Sequence, residues 1–89
     1  MTSSAEIFDY WTLLGVSPGC DQKEIRNGFK KEALKWHPDL NGNNEIALER
    51  FKLVNQAYQV LIDPQKRFAW EIAGRPTVEL VNFQNQLEE

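Results

Sequence analysis

Residues 21–44 read DQKEIRNGFKKEALKWHPDLNGNN, and the change of character partway along this stretch decides how the chain folds. Ile25, Phe29, Ala33 and Trp36 recur at mostly four-residue steps, the apolar stripe of one helix. Asp21 suits the N-cap, and Glu24 three residues on makes a capping-box-like start. The helix has to stop near Trp36, because Pro38 pushes His37 out of the α region. HPDLNGNN is then polar and rich in turn formers, and Asn43 or Asn44 can cap the next element. Gly28, inside the helix, costs about 1 kcal/mol against alanine. A close helix contact would explain it, which the sequence by itself does not show.

Downstream, Ala47, Phe51, Val54, Tyr58 and Leu61 fall at steps of 4, 3, 4 and 3. This heptad-like seam suits antiparallel packing on the preceding helix, with Phe51 as a buried aromatic. Asp63-Pro64 then supplies an N-cap and a first-position proline. The short helix after it is expected to turn Phe68, Ala69 and Ile72 inward and to end at Gly74 and Pro76. Upstream, Asp9 caps and Gly15 ends a helix of roughly two turns carrying Tyr10, Trp11, Leu13 and Leu14. The fold class predicted is all-α, four helices with the middle two long and paired. Residues 1–7 are expected to be a flexible N-terminus, 8–75 the domain, and 76–89 a short tail. In the tail Leu80, Phe83 and Leu87 share a possible helical face, which would be marginal unless docked.

The 89 residues suffice for one domain and a single small core, burying about 60–65% of the unfolded surface. One cysteine, Cys20, excludes an internal disulfide and a cysteine-based zinc site within one chain, and it fits a reducing, cytoplasmic setting without excluding an organelle. No apolar run approaches a membrane span, and MTSSAEIFDY does not read as a secretory signal. One histidine and no phosphate-cradling glycine loop argue against an enzyme, and no cofactor or metal is expected.

The net charge of −3 is unevenly spread. Residues 22–35 carry Lys23, Arg26, Lys30, Lys31 and Lys35 against Glu24 and Glu32, so this helix is +3 and the remainder −6. Lys23, Arg26 and Lys30 share a face at spacings of three and four. Such a face is either an ordinary solvated surface or a docking face for an acidic partner. Nucleic acid is the weaker alternative, since the rest of the chain would repel phosphate. His37-Pro38-Asp39 ends this helix and opens the loop, placing an imidazole and a carboxylate on a proline-stiffened turn.

Together, DYWTLLGVSPGC, EIRNGFKKEALKWHPD and RFKLVNQAYQVLIDPQKRFAWEIAG resemble the J-domain of DnaJ-type co-chaperones from about Asp9 to Gly74. The resemblance implies four helices with a long antiparallel pair, helices II and III, joined by the HPD loop. It implies a monomeric module that binds the ATP state of a DnaK-type heat-shock 70 kDa chaperone and accelerates ATP hydrolysis, so that the chaperone closes on its client. The module itself hydrolyses nothing and needs no nucleic acid or membrane. By the same resemblance, the chaperone-binding residues are His37, Pro38 and Asp39, the basic Arg26, Lys30 and Lys31, the aromatic Phe29, the loop Asn41, and Lys52 on helix III. His37 is expected to be exposed and dispensable for the core.

The chain departs from the family at several positions. Leu40 replaces the usual cation after HPD, Asn55 a frequently basic residue, and Gly28 a usual alanine or other helix former. Phe29 keeps the ring of the usual tyrosine without its hydroxyl. Trp11, Trp36 and Trp70 stand where tyrosine or another aromatic is common. The alternative reading is a J-like docking or assembly module that does not stimulate a chaperone.

Overall fold

The structure, a computed structural model, describes residues 5–81, with side chains from Phe8 to Val78. Five helices and two short strands follow in the order β1 (Ala5–Phe8), α1 (Tyr10–Leu14), α2 (Gln22–Lys35), α3 (Pro38–Asn41), α4 (Glu45–Leu61), α5 (Pro64–Ile72) and β2 (Val78–Val81). The four helices expected from the sequence are α1, α2, α4 and α5, and the domain is helical as read. α3 is a single additional turn inside the HPD loop.

The helix ends obey local chemistry. Asp9 accepts from Thr12 N at 2.8 Å, Asp21 from Glu24 N at 2.9 Å, and Asn44 from Ala47 N at 3.0 Å. Asp63 serves both Gln65 N and Lys66 N ahead of Pro64. Each carboxylate or amide satisfies a helix donor that would otherwise be orphaned, worth about 1 kcal/mol per cap. α1 and α5 both end in the crossed hydrogen bonds of a Schellman motif. Gly15 N and Val16 N reach Thr12 O and Trp11 O, and Gly74 N and Arg75 N reach Glu71 O and Trp70 O. Both glycines sit in the left-handed region, at φ 67° and 92°.

α1 is too short to persist alone. It exists because Tyr10, Trp11, Leu13 and Leu14 are all buried, and it is wedged among α2, α4 and α5. Ile25 of α2, Leu53, Val54, Ala57 and Leu61 of α4 and Trp70 of α5 complete the core. Fully burying each large aliphatic residue of this set contributes about 1.5–3 kcal/mol. The long pair α2 and α4 is antiparallel. Gln22 Nε2 donates to Ile62 O at 3.1 Å, Phe29 stacks on Tyr58 at 4.2 Å, and His37 meets Phe51 at 5.4 Å. Partner numbers fall along α4 as they rise from α2 into α3.

Three expectations need correction. Phe51 is only half-buried, because α4 turns Val54 and Leu61 into the centre and leaves Phe51 at the loop end of the pair. On α5, Phe68 and Ile72 are about two-thirds exposed, at 67% and 68%, and Ala69 is exposed as well. The residue turned inward is Trp70, stacked on Tyr10 at 4.9 Å and tilted against Trp11 at 6.3 Å. The large indole sets the helix's rotation, and Phe68 and Ile72 then fall on the far side. The chain ends differ too. Ala5–Phe8, read as mostly flexible, pairs antiparallel with Val78–Val81, read as helix or disorder, with Phe8 opposite Val78 and Ala5 opposite Val81. A two-stranded ribbon is marginal alone. Here Phe8 and Val78 pack on the core, and Trp70 Nε1 donates to Pro76 O at 3.0 Å, steering the chain into β2. Phe83 and Leu87 lie outside the described residues.

Candidate functional site

The site begins where α2 ends. His37 is extended, at φ −61° and ψ 139°, as a residue before proline should be. Its imidazole then acts as the N-cap of α3, with Nδ1 accepting from Asp39 N at 3.0 Å. A nitrogen that accepts carries no proton, so this geometry assigns the hydrogen to Nε2. Asp39 Oδ2 lies 3.8 Å from the same Nδ1. That approach is not an ion pair, because the Nδ1 lone pair already faces the backbone N–H. Asp39 therefore keeps a free carboxylate, 89% exposed, while the His37 side chain is 44% exposed.

Asn41 locks the turn from its other end. Its Nδ2 donates to Lys35 O at 3.0 Å, a carbonyl at the end of α2, and to His37 O at 2.9 Å, which also accepts from Leu40 N at 3.0 Å. The family resemblance implies Asn41 as a binding residue; its amide hydrogens are committed inside the loop, so it also builds the turn. The Phe51 and His37 rings meet in a T-shaped arrangement, with centroids 5.4 Å apart. Leu40, beside Asp39, is 65% exposed.

Arg26, Lys30 and Lys31 on α2 and Lys52 on α4 are all exposed. Among the described residues none of the four is held in an ion pair. Their charge is free for a partner. Phe29 is half-buried, with one face covered by Tyr58. Pro38 is half-buried in the turn. The structure thus places His37, Pro38, Asp39 and Asn41 in one turn, with the α2 cations on the helix leading into it.

Two features escaped the sequence. One is the helical character of the HPD turn. The other is Arg50, whose guanidinium lies 4.2 Å from the Phe8 ring and 4.9 Å from the Trp36 ring. An arginine among charged neighbours on a helix gives no local sign of such a role.

Elsewhere, Cys20 is half-buried, and its thiol pKa is raised, first by burial and then by Glu24 and Asp21. Such a thiol is inert rather than nucleophilic. Among the described residues no helix is long and apolar enough to cross a membrane.

The model of the DnaJ domain matches residues 9–71. The chain is 52% identical over 66 residues to the chaperone protein DnaJ of Clostridium tetani, covering 74% of this chain and 18% of that one. It is 44% identical over 71 residues to the chaperone protein DnaJ of Bartonella quintana, covering 80% and 19%. It therefore spans less than a fifth of the length of these curated relatives. Among solved structures, the J-Trx1 fragment of ERdj5 superposes with a TM-score of 0.69 at 45% identity, covering 75% of this chain and 32% of the fragment.

Proposed function

The chain belongs to the DnaJ-domain family, and on that premise we propose that it docks on a DnaK-type heat-shock 70 kDa chaperone and stimulates its ATP hydrolysis. The observation that carries this reading is the joint presentation of an exposed Asp39 carboxylate and an Nε2–H on His37 at the end of a helix with unpaired cations.

The division of labour follows from the chemistry. Arg26, Lys30, Lys31 and Lys52 attract and orient an acidic surface. Exposed ion pairs contribute about 0–1 kcal/mol each, so the complex is weak, fast and loosened by salt. That weakness suits a partner that must leave after each cycle. Asp39 accepts charge-assisted hydrogen bonds from a chaperone cation, and His37 Nε2 donates one more. Pro38 and the Asn41 bonds hold both groups in place beforehand, so little ordering cost remains on binding. The docked module favours the hydrolysis-competent state of the chaperone over its resting state, which is how binding becomes acceleration. It supplies no catalytic group to ATP.

Single-turnover ATP hydrolysis by a DnaK-type chaperone, with wild type and His37→Gln side by side, tests the proposal. Stimulation by wild type and its loss in the folded variant is the expected result. A folded wild type that stimulates none of several chaperones would instead support the docking-module reading, which Leu40 and Asn55 favour. Leu40 puts an apolar side chain where a cation is usual, and Asn55 folds its amide back onto Phe51 O at 2.9 Å.

A further inference from the structure

The α2–α3 junction and α4 meet through two adjacent pairs. Phe51 faces His37, and its neighbour Arg50 faces Trp36, the residue that caps α2 just before His37. Trp36 is further fixed by its indole N–H, which donates to Glu32 Oε1 at 3.1 Å. The Arg50 guanidinium also lies over the ring of Phe8, the last residue of β1, at 4.2 Å. Among the described residues Arg50 forms no ion pair, and its Nε is buried without a hydrogen-bond partner. A guanidinium in that position is held by the two rings through cation–π attraction. Both strands lie outside residues 9–71, the part that matches the DnaJ domain.

We propose that Arg50 is a positioning residue for the His37–Asp39 turn: it holds Trp36, and thereby the start of the turn, and couples both to the β1–β2 ribbon. This rests on the co-chaperone reading only for its functional consequence. The positioning itself is a property of the free protein. An unclamped Trp36 lets the end of α2 fray, and His37 and Asp39 then sample orientations that a chaperone does not accept, lowering the apparent affinity by the competent fraction.

The chain has one histidine, so the His37 imidazole gives a single set of ring resonances in a proton–carbon NMR spectrum. Arg50→Gln removes the charge and the planar fork at similar length and is expected to shift or broaden those resonances in the free protein. It is also expected to raise the concentration for half-maximal ATPase stimulation by about three- to tenfold. Arg50→Lys, which keeps the cation, should recover part of both. Phe8→Leu, which removes the second ring at Arg50, should move the His37 resonances as Arg50→Gln does, and it carries the test if Arg50→Gln does not fold. Arg75→Gln is the control: Arg75 lies over Trp70 at 5.8 Å and should leave His37 unmoved. Wild-type His37 resonances in folded Arg50→Gln or Phe8→Leu, or an equal disturbance from Arg75→Gln, would overturn the proposal. A wild type that stimulates no chaperone defeats the co-chaperone reading, while the NMR comparison still decides the role of Arg50.

Discussion

Replacing Gly28 by alanine should destabilise the protein, against what helix propensity alone demands. Gly28 sits inside α2, where alanine is favoured by about 1 kcal/mol. A Cβ there would lie 2.5 Å from the carbonyl oxygen of Leu14 and 2.6 Å from Val16 Cγ1. The valine methyl can rotate away, but the carbonyl belongs to the backbone at the end of α1. Restoring ordinary contact requires moving α1 away from α2 by most of an ångström. Trp11, Leu13 and Leu14, each at most 1% exposed, would have to move with it. Overpacking of this kind costs about 1–3 kcal/mol. Set against the propensity gain, and weighted toward the upper range because the obstacle is backbone, the net loss is about 1–2 kcal/mol. For a domain of this size that lowers Tm by about 4–15 °C. Thermal and urea unfolding followed by circular dichroism would measure it. Val16→Ala in the same chain should recover only part of the loss, since the Leu14 carbonyl remains. A Gly28→Ala protein that melts at or above the wild-type temperature would refute the reasoning and show that α1 tolerates the alanine usual at this position in the family.

Three further outcomes are expected. His37→Gln should keep the helical circular dichroism signal and lose about 1 kcal/mol or less, the value of one N-cap, while abolishing ATPase stimulation; gross unfolding of the variant would sink that assignment. Phe51→Ala should cost about 1–3 kcal/mol in urea unfolding, below the usual range of about 3–5 for a fully buried aromatic, because Phe51 is half-buried; a loss near the top of that range would return it to the core. Cys20, with its pKa raised by burial and by Glu24 and Asp21, holds less thiolate than a free cysteine at any pH below its own pKa. Its reaction with a disulfide reagent at pH 8 should therefore be slower than that of a model thiol, and an equal or faster rate would contradict the burial.

In the proposed cycle, weakness and order are complementary. The exposed cations make encounter fast and release easy, and the turn built by His37, Pro38 and Asn41 arrives already shaped. Asn41 illustrates how a binding motif can be partly architecture: its side chain contacts the turn's own backbone, so replacing it would disturb His37 and Asp39 together.

Local chemistry determined the helices and their ends, because a cap or a stop needs only residues within a few positions. Asp9, Asp21 and Asp63 cap as read, and of Asn43 and Asn44 it is Asn44 that caps; Gly15 and Gly74 close, and Pro38 forces His37 to be extended. The position of the HPD turn after a basic helix was equally legible, being contiguous in the chain, while the turn's helical form was not. What tertiary structure decided was rotation and partnership. The apolar pattern of α5 reads as a face of Phe68, Ala69 and Ile72, and it is the packing against Tyr10 and Trp11 that turns Trp70 inward instead. The ribbon joins residues from opposite ends of the chain, and four-residue strands carry too little period to announce themselves. Gly28 looked like a cost until Leu14 and Val16 came against it, and nothing in the sequence around Arg50 announces its contacts with the Phe8 and Trp36 rings. In each case the deciding contact is made by a residue distant in sequence, and its energy appears only once the helices have packed.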